Sequence, residues 1–183
     1  FGRLPFLFQH YLKSNSNQSI KMIHVVCNVL TGVLGALFTA IGLVKCFQIV
    51  PDVYDMQLEA ISTRYQPVLV SFTPGFISEW LANLPTERLI VLIGAPELAF
   101  GIFLLWSLLL GGMISRHVDK AVNQFMILFM MGPLVSHWFG DDWTLPMDSN
   151  VGPTGIVPAT VVTALLSVRL VVLTSLGNKQ KTK

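Results

Sequence analysis

The sequence predicts an all-α integral membrane protein, folded as a four-helix bundle with short interfacial helices in its first outer connection. Three observations lead to this fold class. The 183-residue chain is 52% hydrophobic and only 12% charged, which is about half the charged fraction of a soluble domain. Four apolar stretches are long enough to cross a membrane, which takes about 20 residues. The connection between the first two stretches contains two shorter helical patterns.

The first predicted span covers residues 22–47 and carries small residues on one helical face. These residues recur at spacings of three and four, which marks a closely packed face in membrane helices. Asn28 and Lys45 fall on the same face, so we expect both side chains to point into the bundle. The glycines of this face are Gly32, Gly35 and Gly42.

Two segments flank the predicted membrane domain of residues 22–177. Residues 1–21 combine apolar side chains with three basic residues and no acid. Such a segment is expected to lie on the membrane surface or against a partner, and residues 14–19 within it are predicted to form a polar linker. Residues 178–183 are predicted to be a basic tail.

The connection at residues 51–87 is predicted to begin with an amphipathic helix. Apolar residues recur at helical spacing over residues 52–65. Pro67 is expected to end this helix, because proline has no N–H donor and its ring clashes with the preceding turn.

The second half of this connection is predicted to form another short helix at the membrane interface. Pro74 and Gly75 indicate a turn, and a helical pattern over residues 76–84 follows it. Trp80 lies in this pattern, and tryptophan favours the depth of the membrane interface. Thr86 is the predicted N-cap of the next span, because its hydroxyl can accept a bond from a free backbone N–H.

The second predicted span covers residues 88–113, and after Arg88 its one charged residue is Glu97. A carboxylate within a membrane is costly, so it should face protein or water and not lipid. Gly94 and Gly101 lie three residues before and four residues after Glu97, on the same helical face. This face should let a neighbouring helix approach closely.

The third and fourth predicted spans cover residues 121–139 and 155–176. Asn123 and His137 lie on one face of the third span, because they are separated by two seven-residue repeats. Arg169 lies within the fourth span. Its guanidinium therefore needs polar partners inside the protein or at the membrane surface.

Basic residues divide unequally between the two sides of this membrane domain. Eight lie at the termini and in the connection between the second and third spans, against two on the other side. Positive residues stay on the inner side, so both termini should be inside, which agrees with four spans. The eight are Arg3, Lys13, Lys21, Arg116, Lys120, Lys179, Lys181 and Lys183, and the two are Arg64 and Arg88.

This orientation places one set of polar residues in the outer half of the membrane: Lys45, Glu97, His137 and Asp141. The simplest interpretation is an ion pair between Lys45 and Glu97 that fixes helix packing, with His137 as a further hydrogen-bond partner. The alternative is a site that relays protons or holds the head group of a quinone or lipid.

The inner half contains a second set, Asn28, Asn123 and Arg169. Arg169 is expected to pair with helix-end carbonyls, asparagine side chains or a lipid phosphate. The sequence shows no nucleophile motif, metal-ligand set, phosphate loop or basic–aromatic groove for nucleic acid. We therefore predict no catalytic residues, no metal, no nucleic acid and no required cofactor. Bound lipid is expected, with a quinone, or a chlorophyll on His24 or His137, as alternatives.

Short motifs distributed over residues 37–173 carry a family resemblance. They are Gly42-Leu-Val-Lys45, Tyr65 with Pro67, Gly94-Ala-Pro-Glu97 with Gly101, Asn123, His137, Gly140-Asp141, Pro158-Ala159 and Arg169-Leu170. In these the chain resembles the DoxX-like four-helix membrane proteins, and within them the branch that contains the acetylcholine-receptor chaperone NACHO. The resemblance implies a membrane protein that acts by helix contacts with other membrane proteins, without known chemistry. Some bacterial relatives are associated with quinone-linked oxidoreductases, which implies an enzyme alternative.

We therefore expect a non-catalytic multi-pass membrane protein, either an accessory subunit of a larger membrane complex or an assembly chaperone. The expected partners are membrane lipids and other integral membrane subunits. The expected location is an organellar inner membrane, such as that of the mitochondrion, with the endoplasmic reticulum membrane as the alternative. A quinone-linked oxidoreductase component and a pigment-binding photosystem or antenna subunit stay open as other function classes.

Overall fold

The computed structural model describes residues 6–110, 114–139 and 156–181, and every regular element in these ranges is helical. The described side chains belong to residues 21–63, 65–110, 114–135 and 159–176.

The described residues form seven α-helices, four long and three short. The three short helices follow one another between the first two long ones, and a π-helical turn at Ile61–Tyr65 joins two of them. The long helices are α1 (Phe6–Phe47), α5 (Thr86–Leu109), α6 (Arg116–Phe139) and α7 (Ile156–Lys181), and the short ones are α2 (Pro51–Ala60), α3 (Gln66–Phe72) and α4 (Gly75–Ala82).

Three of the described helical stretches are long and apolar enough to cross a membrane: Lys21–Phe47 in α1, Thr86–Leu109 in α5 and Ala159–Leu176 in α7. Length and composition therefore agree with the predicted all-α membrane class. Helix α6 has 24 residues but is not among the three. Polar side chains in its first two turns, including Asp119 and Asn123, lower its hydropathy.

The long helices share one core. Helix α1 packs against α5 and α7, and α6 packs against α7. Phe38 and Phe100 meet edge to face, with ring centroids 5.0 Å apart. Because lipid is as apolar as these side chains, there is no hydrophobic driving force to bring the helices together within a membrane. Such a core is therefore stabilised by close packing. The buried members are Leu34, Phe38, Phe100, Leu104, Met126, Met130, Ala159, Val162 and Leu166.

Helix α1 extends well before the predicted first span. Residues 14–19 continue it without a break, so the prediction of a polar linker there is wrong. The reason is that residues 6–31 contain no glycine or proline. Serine and asparagine each cost less than about 1 kcal/mol in a helix relative to alanine, so they do not end it.

Pro67 does not end the helix in the connection, so that prediction is also wrong. The backbone stays helical from α2 through the π-helical turn into α3. In the wide turn, the N–H of Gln66 donates to the carbonyl of Ile61, five residues back. Pro67 therefore lies in the first turn of α3, where a missing donor is tolerated.

The predicted turn at Pro74 and Gly75 is present and joins α3 to α4. Gly75 has a φ of 55°, a left-handed conformation that favours glycine. Helix α4 corresponds to the short helix predicted at residues 76–84. We call residues 66–82 the α3–α4 hairpin.

One side chain, Gln66, ties the α3–α4 hairpin to the start of α5. Its Nε2 donates to the carbonyls of Leu81 and Leu84, both at 2.8 Å. Its Oε1 accepts a bond from the hydroxyl of Thr86 at 3.2 Å. The N-cap residue of α5 is Pro85, and none of the described side chains caps the helix, so the predicted Thr86 cap is wrong.

Candidate functional site

A buried ion pair joins α1 to α5. The Nζ of Lys45 donates to both carboxylate oxygens of Glu97, at 2.8 Å and 2.7 Å. Glu97 is 4% exposed, and the side chain of Lys45 is 13% exposed. The predicted contact between these two residues is therefore present. We call it the Lys45–Glu97 pair.

Glycines bring the two helices together beside this pair. A Cβ atom on Gly94 would lie 2.5 Å from the Cβ of Lys45, and one on Gly42 would lie 2.5 Å from the backbone nitrogen of Leu98. Neither approach is possible for a real side chain. Glycine at both positions therefore permits the helix separation that the Lys45–Glu97 pair needs.

The remaining glycines of the predicted packing faces differ in how tightly they are held. A Cβ on Gly101 would clash with the backbone nitrogen of Thr39. One on Gly35 would lie 3.0 Å from the Leu105 side chain, whereas one on Gly32 would make only an ordinary contact at 3.6 Å. The α1–α5 contact is thus tightest around Gly101 and relaxes toward Gly32.

A second buried cluster is centred on Arg169 of α7, which is 1% exposed. Its Nη2 donates to the carboxylate of Asp119 at 2.7 Å, and its Nη1 donates to the Oδ1 of Asn123 at 3.0 Å. Its Nε donates to the hydroxyl oxygen of Thr31 at 3.0 Å. We call these four residues the Arg169 cluster, and it joins α7 to both α6 and α1.

Backbone carbonyls orient the neutral members of the Arg169 cluster. The Nδ2 of Asn123 donates to the carbonyl of Leu166 at 2.9 Å, which leaves Oδ1 facing the guanidinium. The hydroxyl of Thr31 donates to the carbonyl of Cys27 at 2.7 Å, so its oxygen is free to accept from Arg169. Each acceptor is therefore held in the orientation that the fixed fork of the guanidinium requires.

The structure brings together two of the three residues of the predicted inner set. Asn123 meets Arg169, but the side chain of Asn28 is exposed. Cys27 is buried in its place. Cys27 lies 18 residues before Lys45, which is five whole turns at about 3.6 residues per turn, so the two side chains project from the same face of α1. Asn28 is one residue further along and therefore projects from a different face.

Two members of the Arg169 cluster, Asp119 and Thr31, are not among the site residues predicted from the sequence. Asp119 carried a usable signal, because it is the one acid on the predicted inner side and lies four residues before Asn123, on the same helical face. Thr31 had a weaker signal. It belongs to the buried face only when that face is traced back from Lys45 in steps of about 3.6 residues.

The two other members of the predicted outer set, His137 and Asp141, lie outside the described side chains. His137 lies in the last turn of α6, and its side chain is outside those described. Asp141 lies outside the described residues.

The arrangement of both clusters suits helix fixation. Each brings one cation and one carboxylate together, and each joins helices that are distant in the sequence. Within the described ranges, no group of three His, Cys, Asp or Glu residues could hold a metal ion.

No protein-family model, curated protein or solved structure matches this chain.

Proposed function

We propose that this chain is a non-catalytic multi-pass membrane protein that acts through helix contacts with other membrane proteins. It crosses the membrane four times, with α6 spanning in addition to the three candidate spans in α1, α5 and α7. Its role is that of an accessory subunit of a larger membrane complex or of an assembly chaperone. The observation that carries the proposal is the internal pairing of both buried charged clusters.

In both clusters the charged atoms are engaged with one another. Both oxygens of Glu97 accept bonds from Lys45, and three nitrogens of Arg169 donate to side chains of the protein. A proton relay or a quinone site needs a polar atom that is available to a ligand. The observed pairing therefore supports a role in fixing the helices more than a role in chemistry.

The outward faces of the long helices supply the surface for such contacts. Apolar side chains lie exposed along all four, and lipid or helices of other proteins must cover them in a membrane. On α1 and α5 they include Val25, Val29, Val33, Ile102 and Trp106, and on α6 and α7 they include Phe125, Leu128, Val161, Val168 and Val171.

The family resemblance supports the same function. A resemblance to the DoxX-like proteins implies a protein that acts by helix contacts, without known chemistry. We place this chain in an organellar inner membrane, with the endoplasmic reticulum membrane as the alternative, and expect bound lipid.

The topology proposed here has both termini on the positive-inside face. Cysteines introduced at Ser19 and Asn178 should react with a membrane-impermeant thiol reagent from the same side, and a cysteine at Ser149 should react from the opposite side. Reaction of the two terminal cysteines from opposite sides would exclude four spans.

The proposed mode of action can be tested by deleting residues 1–12. This apolar segment should contact lipid or a partner, so the deletion should weaken co-purification with other integral membrane proteins while the helical domain stays folded. Replacing the polar residues of 14–19 by alanine is the control, because it removes no apolar side chain. Unchanged co-purification after deletion, together with quinone turnover by the isolated chain, would replace this proposal with the oxidoreductase alternative.

A further inference from the structure

We propose that the α3–α4 hairpin is an interfacial membrane anchor, with Phe76, Ile77 and Trp80 inserted among lipid chains near the glycerol region. The inference rests on the proposed multi-pass membrane topology, but not on which proteins the chain contacts. It names zwitterionic lipid as the occupant of a surface outside both buried clusters.

One face of α4 is apolar and uncovered. Phe76 is 80% exposed and Trp80 is 53% exposed, and Ile77 beside them is also exposed. Phe76 and Trp80 are four residues apart, so they project from the same side of the helix. Leu81, farther round the helix, is buried in a core cluster that also contains Tyr54.

The hairpin lies between two candidate membrane spans. The first ends at Phe47 and the next begins at Thr86, so the chain between them must leave and re-enter the membrane on one face. Gln66 donates to the carbonyl of Leu81 and accepts from the hydroxyl of Thr86, and these two bonds hold the end of α4 at the start of α5. The hydroxyl of Ser78 also donates to the carbonyl of Val70, at 2.9 Å, which holds α4 against α3.

The charges around the hairpin set both its depth and its lipid. Residues 66–82 contain one charged residue, Glu79, which lies at the edge of the apolar face, one helical step before Trp80. A carboxylate there keeps the insertion shallow. Exposed acids nearby, namely Asp52, Asp55 and Glu59 on α2 and Glu87 on α5, outnumber the exposed base Arg88 among the described side chains, and so repel anionic head groups. Apolar insertion into a zwitterionic interface therefore fits this surface.

Lipid is favoured over a protein partner because apolar side chains are also exposed at the adjoining ends of the two spans. Ile49 and Val50, just after α1, are exposed, as are Val91 and Leu92 in the second turn of α5. All of these residues lie close to where the two spans meet the same membrane face. A lipid layer that covers the ends of the spans therefore reaches the hairpin as well.

The test uses the full chain in phosphatidylcholine nanodiscs, with Trp106, Trp138 and Trp143 replaced by Phe so that Trp80 alone fluoresces. Spin-labelled phosphatidylcholine carries the quencher either near the carbonyl end or near the methyl end of its chain. Trp80 emission should lose more intensity with the shallow label than with the deep one. Adding phosphatidylglycerol should not increase this loss. A variant that retains only Trp106, which is exposed on α5, is the positive control for lipid contact.

Two results would overturn the proposal. If lipid labels leave Trp80 unquenched and aqueous acrylamide quenches it, the hairpin lies in water. If neither quenches it, protein covers the surface, whether a second copy or a partner. Should the single-tryptophan variant not fold, a spin label on Phe76→Cys, in a chain with Cys27 and Cys46 replaced by Ala, gives the same decision. Higher accessibility to oxygen than to a nickel chelate supports insertion, and the reverse order contradicts it.

Discussion

Breaking the Lys45–Glu97 pair from one side should destabilise the protein far more than removing both charges. Lys45→Met and Glu97→Leu each preserve side-chain volume approximately but leave the other charge without its partner. Removing one member of a buried ion pair costs about 3–5 kcal/mol, whereas replacing both members by apolar residues is often neutral. Glu97 is 4% exposed, so the carboxylate that Lys45→Met leaves behind is poorly solvated.

The two single variants should differ in a definite direction. The Lys45 side chain is 13% exposed, and its flexible stem can carry the ammonium toward the surface. Glu97→Leu should therefore fall near the lower end of the range, at about 3 kcal/mol, and Lys45→Met near the upper end. The double variant should unfold within about 1–2 kcal/mol of the wild-type protein, which leaves a coupling energy of several kcal/mol.

Equilibrium unfolding in mixed micelles, with the four proteins measured side by side, gives the required double-mutant cycle. The free energy of unfolding is compared between wild type, each single variant and the double variant. Strictly additive losses, with the double variant the least stable, would show that the two charges do not stabilise one another.

Three further predictions use the same unfolding assay. Gly101→Ala should destabilise the protein by about 1–3 kcal/mol, because the new Cβ meets the backbone of α1. The control Gly32→Ala should be neutral or stabilising, and equal effects of the two substitutions would contradict this prediction. Arg169→Met should lower the free energy of unfolding by about 3–5 kcal/mol, because it leaves Asp119 buried and unpaired. Arg169→Lys should cost less, because lysine keeps the charge but cannot make all three bonds of the guanidinium; an unchanged stability for Arg169→Met would contradict this prediction. Gln48→Gly should stabilise by about 1 kcal/mol, because Gln48 has a φ of 53°, and any loss of stability would count against backbone strain there.

The sequence was informative where a polar residue interrupts a long apolar run. Glu97 and Arg169 had to find partners, because an unpaired charge in a membrane is costly. Glycines at helical spacing around Glu97 indicated the face that α1 would contact. The pairing with Lys45 followed from a shared depth, which the length of each span sets.

The lateral arrangement of the helices could not be read in the same way. Periodicity gives the face of a helix but not its neighbour, so the contact of α7 with both α1 and α6 was not foreseen. A threonine such as Thr31 is common in a membrane helix and predicts no particular contact. It belongs to a cluster only because Arg169 of α7 donates to its hydroxyl oxygen. Asn28 was misplaced because a shift of one residue rotates a side chain by about 100°.

The rules for helix ends failed where the residues concerned had other hydrogen-bond partners. Pro67 is predicted to end a helix. In the π-helical turn before it, however, the N–H of Gln66 bonds to a carbonyl five residues back, and the helix continues although Pro67 has no N–H donor. Thr86 was expected to cap α5, but its hydroxyl donates to Gln66 across 20 residues of sequence. Neither partner is visible until the α3–α4 hairpin folds back onto the start of α5.

Mass spectrometry of the intact particle, released from native membranes in mild detergent, tests the proposed function most directly. The chain should be found in stoichiometric association with other integral membrane proteins, in a particle held together through its helices. The same measurement should detect bound lipid. A monomeric chain that carries a quinone or a pigment, and no other protein, would contradict the account.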